Sequence, residues 1–178
     1  MVSPEEKKEL RHLLRPRLAK LNKFISTFFY VGFLRPAPGT WGSIAGIISA
    51  YTLLITMGFS TFLLILLFTI IIGFWTTKNY IKKSSKKSDP SEVVIDEVIG
   101  QWITVLPIGY ILEIDEFLTY ELLFLWLWAF VSFRFFDIFK LGLIGWADNL
   151  DGASGVLLDD ILAGFAAGLT VVVLIVLI

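Results

Sequence analysis

The sequence predicts an all-α polytopic membrane protein, a bundle of about five membrane helices preceded by an N-terminal amphipathic helix. Hydrophobic residues make up 56% of the 178 residues and charged residues only 17%, against about 25% charged in soluble domains. The mean hydropathy is +0.78, more apolar surface than so small a fold can bury. Five apolar segments and a one-sided distribution of positive charge are the other two observations.

Composition also limits the chemistry. A formal net charge of −1 argues against a basic nucleic-acid binder. The absence of Cys excludes disulfide scaffolds, Cys-ligated zinc, iron–sulfur clusters and thiol nucleophiles. His12 is the single histidine and stands in a charged N-terminal run, which argues against histidine triads. Catalysis therefore depends on carboxylates, hydroxyls, Arg, Lys or the backbone.

Residues 1–23 are predicted to form a basic amphipathic segment. Leucines recur at three- and four-residue intervals, as on one face of a helix; they are Leu10, Leu13, Leu14, Leu18 and Leu21. Seven Lys and Arg residues interleave with them, which suits the surface of an anionic membrane. A solvated helix without lipid contact is the alternative.

Residues 24–178 are assigned to one membrane-embedded domain. Its apolar segments comprise residues 44–57, 59–77, 98–112, 117–133 and 161–178. A span needs about 20 residues, and only the second and last segments approach that length, so the others are expected to lean on neighbours or thin the bilayer. The third segment contains Pro107, and the stretch 24–34 is expected to be interfacial or re-entrant.

Five spans place residues 1–43, 78–97 and 134–160 on one side of the membrane. All 15 Lys and Arg residues fall there, eight in the first stretch, five in the second, and Arg134 and Lys140 in the third. By the positive-inside rule this side is the cytoplasm, and the C-terminus lies outside.

Three motifs on this predicted cytoplasmic side carry chemistry. The first contains Gly39, Thr40, Gly42 and Ser43 and leads into an apolar helix. The glycines permit close backbone approach, Ser43 or Thr40 can cap the helix, and a helix N-terminus favours a phosphate. The alternative is an ordinary capped helix after a proline-rich turn.

The second motif is the acid pair Asp96 and Glu97, at the mouth of the third apolar segment. On a helix, Glu92 would share a face with Asp96, and Gln101 with Glu97. Acids favour the first turn of any helix, which is the alternative explanation. Ionisable groups at a membrane boundary are nevertheless costly unless they bind something, so the pair is a candidate ligand or metal site.

The third motif combines Arg134, Asp137 and Lys140, spaced by three residues, with the later pair Asp159 and Asp160. On one helical face, such a stripe beside two carboxylates can hold a phosphate through a metal. A salt-bridged stripe at the end of a membrane helix is the alternative. The stretch 148–155 resembles a calcium loop but lacks the Glu at its twelfth position.

The acids of the second and third motifs form an oxygen-only ligand set: Asp96, Glu97, Asp137, Asp159 and Asp160. Such ligands select Mg²⁺, or Mn²⁺, over zinc or copper. A cation of this kind polarises a phosphoryl group and activates water. Arg134 and Lys140 are suited to neutralising the charge that develops on phosphate oxygens.

Taken together, the motifs resemble the phosphatidylglycerophosphatase A family, bacterial membrane phosphatases of glycerophospholipid synthesis. The resemblance covers about residues 28–170 and rests on four ordered motifs: Pro38-Gly39-Thr40-x-Gly42-Ser43, Asp96-Glu97-x-x-Gly100, Phe133-Arg134-x-x-Asp137-x-x-Lys140 and Asp159-Asp160-x-x-Ala163-Gly164. It implies Mg²⁺-dependent removal of the terminal phosphate of phosphatidylglycerophosphate, which yields phosphatidylglycerol at the cytoplasmic face of a bacterial inner membrane.

We therefore assign hypothetical roles. The expected metal ligands are Asp96, Glu97, Asp159 and Asp160, and the expected catalytic residues are Asp96, Glu97, Asp137 and Asp160. Phosphate is expected to contact Gly39, Thr40, Gly42, Ser43, Arg134 and Lys140. Asp137 either completes the metal shell or acts as the base, and a covalent aspartyl-phosphate is the rival mechanism.

Other functions stay open at this point. A related enzyme could act on another membrane phosphate ester, and a homo-oligomer is compatible with the sequence. A small transporter would place charged groups near the midplane, whereas these candidates cluster at one face. A structural subunit would tolerate replacement of Asp96 or Asp160 by Asn.

Overall fold

A computed structural model describes residues 4–82, 90–114 and 119–178, and within these ranges the chain is helical and contains no strand. The α-helices are α1 Pro4–Ser26, α2 Pro38–Ile81, α3 Ile95–Thr104, α4 Leu106–Ile114, α5 Thr119–Phe139, α6 Leu143–Asp148 and α7 Ala153–Leu177, and a 3-10 turn spans Val31–Phe33. The predicted all-α class is confirmed.

Helix α2 is interrupted at Gly58, whose φ of 75° and ψ of 169° are non-helical and suit glycine. The two arms, 38–57 and 59–81, pack on α3 in opposite order. Along the first arm, Gly42 lies against Val94, and the later Gly46 lies against Gln101. Along the second arm the order is reversed: Phe62 lies against Trp102, and the later Gly73 lies against Ile95. The chain therefore reverses direction at Gly58, and α2 is a helical hairpin.

The predicted segment 98–112 is divided into two helices, α3 and α4, which are bent by 45° at Val105. Pro107 follows the break and is the second residue of α4. Proline has no amide hydrogen to donate to the carbonyl of Ile103, and its ring crowds that carbonyl. A single straight helix through this segment is thereby prevented.

Three helices are long and apolar enough to cross a membrane, or four if the bent α3–α4 pair counts as one span. They are α2, α5 and α7. This supports a membrane protein, while the count of about five spans stays a prediction. All five predicted segments are longer in the structure; for example, α5 continues to Phe139 and α7 begins at Ala153.

Helix α3 lies at the centre of the bundle, and nine of its ten residues are buried. It crosses α7 in backbone contact at Gly100 and Gly164. A methyl group added at Gly164 would lie 2.5 Å from the carbonyl oxygen of Gly100, and one added at Gly100 would lie 2.7 Å from the carbonyl oxygen of Asp160. The two glycines thus bring the acidic ends of α3 and α7 together.

The segment after α1 folds back onto the bundle. Phe28, Phe29 and Tyr30 have positive φ angles, and the amide of Val94 donates to the carbonyl of Ser26 at 3.0 Å. On α1 itself, Leu14, Leu18 and Leu21 are exposed. The placement of α1 on an anionic membrane surface stays a prediction.

Candidate active site

Three carboxylates converge at one end of the bundle. Asp96 and Glu97 lie in the first turn of α3, and Asp160 lies in the second turn of α7. One oxygen from each side chain lies within 4.8 Å of the other two. Asp96 and Asp160 are only 6% and 4% exposed. The Gly100–Gly164 crossing fixes this approach, because it holds the two helices at backbone distance.

Buried carboxylates at this separation repel one another unless a proton or a cation compensates their charge. Glu97 Oε2 is buried and has no hydrogen-bond partner, a costly arrangement for a polar atom. An oxygen-only set with an unpartnered oxygen fits a hard divalent cation. This cluster, here called the carboxylate cluster, can therefore hold a metal ion.

Asp159 lies outside the carboxylate cluster. One of its oxygens accepts a hydrogen bond from Lys140 Nζ at 2.7 Å, while the other, Oδ1, is buried without a hydrogen-bond partner. Lys140 also pairs with Asp148. Burial lowers the pKa of Lys140, but these two carboxylates raise it more, so the net shift is upward. The assignment of Asp159 as a metal ligand stays a prediction.

Arg134 and Asp137 share one face of α5 and form an ion pair, as their spacing predicts. The expected continuation of this helical stripe to Lys140 is wrong. Helix α5 ends at Phe139, and Lys140 has a φ of 47°, a left-handed conformation uncommon outside glycine. The backbone leaves the helix there, and the ammonium reaches Asp148 and Asp159.

The first motif begins α2, but not through the predicted cap. The N-cap is Ala37, without a side-chain hydrogen bond, and Pro38 occupies the first helical position. Proline suits that position because its φ is already helical and no amide hydrogen is needed there. Thr40 and Ser43 consequently lie inside the helix, and the expectation that one of them caps it is wrong.

Gly39 brings this helix end against the carboxylate cluster. A methyl group at position 39 would lie 2.5 Å from Glu97 Oε1 and 3.5 Å from Arg134 Nη1. The hydroxyl of Ser43 donates to the carbonyl of Gly39 at 3.0 Å and accepts from Arg134 Nη1 at 3.4 Å. Gly42 serves the same approach, since a methyl group there would lie 2.8 Å from Cβ of Val94.

A cavity of about 270 Å³ opens beside these groups. Its acidic and basic lining comprises Asp96, Glu97, Asp137, Lys140, Asp159 and Asp160, together with Asp148. Pro38 and Gly39 contribute the end of α2. The arrangement can bind an anion beside a cation, with Lys140 and the nearby Arg134 supplying positive charge.

Sequence reasoning missed one residue of this site and misplaced another. Asp148 pairs with Lys140, a partner that the sequence does not predict, although the third motif includes the stretch 148–155. The prediction that Glu92 shares a helical face with Asp96 is wrong, because α3 begins at Ile95, and Glu92 instead accepts a hydrogen bond from the hydroxyl of Tyr80 at 3.1 Å.

Comparison with known proteins points to one family. The family model described as Phosphatidylglycerophosphatase A matches residues 24–175. A protein of Bacteroides thetaiotaomicron, provisionally named a phosphatidylinositol-3-phosphatase, is 35% identical over 79% of this chain and 84% of its own length. No solved structure matches.

Two further relatives are named phosphatidylglycerophosphatase A. The Haemophilus influenzae protein is 32% identical over 80% of this chain and 82% of its own length. The Escherichia coli protein is 33% identical over 71% of this chain and 67% of its own length. Because the family model spans most of the chain and these relatives align over most of their lengths, the chain belongs to the phosphatidylglycerophosphatase A family.

Proposed function

We propose that this protein hydrolyses the terminal phosphate ester of phosphatidylglycerophosphate and releases phosphatidylglycerol and phosphate. The observation that carries the proposal is the buried carboxylate cluster of Asp96, Glu97 and Asp160, which borders a cavity that Lys140 also lines. Family membership and the names of two relatives support the substrate. Phosphoryl transfer requires carboxylates that bind a cation and positively charged side chains that bind the phosphate.

The carboxylate cluster would hold Mg²⁺, with Mn²⁺ as the alternative, and Asp159 is proposed as a fourth ligand through its unpartnered oxygen. When bound, such a cation polarises the phosphoryl group and makes water a stronger nucleophile. Hard oxygen ligands without Cys or His favour these metals.

The chain's own side chains complete the reaction. Arg134 and Lys140 bind phosphate oxygens and neutralise the negative charge that grows on them. The end of α2 at Gly39 and Thr40 lies against Glu97 and brings backbone amides to the same anion. Asp137, held by Arg134, accepts the proton of the attacking water, and the glycerol oxygen takes up a proton as its bond to phosphorus breaks. The alternative is a nucleophilic aspartate, which rapid acid quenching would trap as a phosphoenzyme.

We further propose five spans, with the site on the cytoplasmic side of a bacterial inner membrane and the C-terminus outside. The two arms of α2, the bent α3–α4 pair, α5 and α7 supply the five. The reversal of α2 supports this count, and the sequence prediction that all 15 Lys and Arg residues fall on one side of the membrane supports the orientation.

The test is phosphate release from phosphatidylglycerophosphate by the purified protein in detergent. We expect release that requires Mg²⁺, stops in chelator and returns with Mg²⁺. Asp160→Asn should lower kcat by about 10² or more, since it removes a cluster charge, whereas Asp151→Asn, at an exposed position of the same region, should not. Chelator-resistant release, or full activity in Asp160→Asn, would contradict the proposed site.

A second substrate deserves the same assay, because the Bacteroides relative carries a phosphatidylinositol-3-phosphatase name and is 35% identical. Phosphatidylinositol 3-phosphate also presents a phosphate monoester at the membrane surface. The ratio of kcat/KM for the two lipids separates the candidates, and we expect it to favour phosphatidylglycerophosphate.

A further inference from the structure

An apolar groove of about 670 Å³ runs between the first arm of α2 and helix α5. One wall is a helical stripe of Ile44, Ile48, Tyr51 and Ile55, and the other includes Leu123, Trp126 and Phe130. The rings of Tyr51 and Trp126 meet edge to face with their centroids 5.5 Å apart, so the two walls touch near the middle of the groove. No charged residue lines it among the described residues.

The groove leads to the active site along both walls. On α5, Arg134 follows Phe130 by one helical turn and therefore lies on the same face. On α2, Ile44 directly follows Ser43, whose hydroxyl accepts from Arg134 Nη1 at 3.4 Å. That nitrogen also lies 3.5 Å from where a methyl group at Gly39 would be. Arg134 thus lies one turn beyond Phe130 of the groove and close to Gly39, which lines the cavity beside the carboxylate cluster.

A phospholipid monoester has to satisfy two environments at once. Its terminal phosphate must reach the carboxylate cluster, while its acyl chains must keep apolar neighbours. We propose, on the basis of the proposed function, that this groove holds an acyl chain of the lipid substrate. Arg134 then marks the point where the lipid passes from the groove into the cavity. By holding the acyl chain, the groove positions the phosphate ester in the active site, and this positioning raises the rate of reaction.

Another apolar groove offers an internal comparison. It lies between the second arm of α2 and α7 and is lined by Ile71, Phe74, Leu158 and Ile161. By their helical spacing, Leu158 and Ile161 project from a face of α7 turned away from the Asp159–Asp160 pair, and the described lining of this groove contains no basic residue. A lipid chain in that groove would therefore not lead to the carboxylate cluster, and lipid there is a bystander.

Obstruction of the groove tests the proposal with matched variants. Ile48 and Ile71 are both isoleucines on α2, 60% and 65% exposed, and each lines one of the two grooves. We would measure kcat/KM for diacyl phosphatidylglycerophosphate and for its deacylated, water-soluble head group. Ile48→Trp should lower the diacyl-to-deacylated ratio roughly tenfold, because a displaced ester reacts slowly, and Ile71→Trp should leave the ratio unchanged.

Leu123→Trp, on the opposite wall and 61% exposed, should lower the ratio as Ile48→Trp does. Activity on the deacylated head group shows in each case that the variant is folded. An unchanged ratio in both groove variants would overturn the proposal, as would a larger fall in Ile71→Trp.

Crosslinking tests whether an acyl chain binds in the groove, independently of phosphate release. The probe is diacyl phosphatidylglycerophosphate with a diazirine on an acyl chain, in phosphatidylcholine vesicles with the full-length protein. We expect crosslinks in residues 44–55 and 122–130, which excess unlabelled probe lipid removes and Ile48→Trp weakens. Crosslinks concentrated in residues 70–74 and 157–161 would overturn the proposal. A protein that crosslinks as expected but releases no phosphate would contradict the proposed function and leave the groove supported.

Discussion

At the scale of single residues, Lys140 is the non-glycine residue in the described cavity lining that has a positive φ angle. Its left-handed φ of 47° costs free energy in a residue with a side chain. In this conformation the ammonium contacts both Asp148 and Asp159, which belong to different helices. The lysine therefore joins the end of α6 to the start of α7, beside the cavity where we expect phosphate to bind.

The pH dependence of activity should report this bridge. The pKa of Lys140 is raised, because its two carboxylate partners outweigh the effect of burial. The ordinary pKa of a lysine is about 10.4. Because the pKa of Lys140 is raised, the ammonium stays charged above that pH, and its contribution to activity is lost only at still higher pH. Asp148→Asn removes one partner and should shift the alkaline limb of kcat/KM to lower pH.

The measurement is kcat/KM for the deacylated substrate from pH 7 to 11 in wild type and Asp148→Asn; the wild-type value should hold across this range, and that of the variant should fall at its alkaline end. Asp151→Asn provides the matched control, an exposed acid three residues further along, and should keep the wild-type limb. Superimposable profiles for wild type and Asp148→Asn would show that Asp148 does not hold the lysine in its charged form.

At the scale of helices, the crossing of α3 and α7 determines where the acids meet. A methyl group at Gly164 would lie 2.5 Å from the carbonyl oxygen of Gly100, so Gly164→Ala must push the helices apart. Overpacking of this kind costs about 1–3 kcal/mol. We expect Gly164→Ala to lower the Tm and, by separating Asp160 from Asp96, to lower kcat as well.

Gly168 is the control, one turn along the same helix, where an added methyl group would make ordinary contacts at 3.6 and 3.7 Å. Thermal unfolding in detergent and phosphate release should both be close to wild type in Gly168→Ala. Equal effects of the two substitutions would mean that the close crossing does not control the geometry of the site.

The sequence is sufficient to predict the long apolar helices and the convergence of acidic residues in one site. Apolar runs indicate the membrane-type helices, and residue type and position predict Asp96, Glu97, Asp159 and Asp160 as metal ligands. The structure brings the first two and Asp160 together. Helix ends were predicted less well. Continuation of α5 and α7 into charged residues depends on contacts between helices, which hydropathy along the chain does not contain.

The details of Lys140 and Asp159 show the same limit. A spacing of three residues indicated one helical face, but Lys140 leaves the helix to pair with Asp148 and Asp159. Those partners become neighbours only through the packing of α6 against α7. A lysine in left-handed conformation has no local sequence signal, unlike the glycine at position 58, so this part of the site required the fold.

At the scale of the whole molecule, the described residues place different groups at the two ends of the bundle. The site and its bases lie at one end. At the other end α2 reverses at Gly58, where the amide of Phe59 donates to the carboxylate of Glu113 at 2.9 Å. Gly39 and Gly58 are 19 residues apart, about 28 Å along a helix, close to the roughly 30 Å of a hydrocarbon core. The first arm is therefore long enough to separate the two ends by one bilayer.

The orientation can be measured by labelling single cysteines, because the natural sequence contains no Cys. We choose four exposed positions outside the site: His12 on α1, Ser60 after the reversal of α2, Asn149 after α6, and Ile178 at the C-terminus. Five spans with a cytoplasmic site predict that Ser60→Cys and Ile178→Cys react with a membrane-impermeant maleimide on intact bacterial cells. His12→Cys and Asn149→Cys should react only after the membrane is opened.

Labelling after permeabilisation controls for accessibility, and all four variants should then react. Phosphate release by each variant confirms that the fold is kept. Since an odd number of spans puts the chain ends on opposite sides, equal labelling of His12→Cys and Ile178→Cys on intact cells would contradict five spans. Protection of Ser60→Cys together with His12→Cys would instead show that the hairpin of α2 enters and leaves the membrane on one side. If only His12→Cys and Asn149→Cys were labelled on intact cells, the active site would lie on the outer face. The orientation would then be the reverse of the one that the basic residues predict.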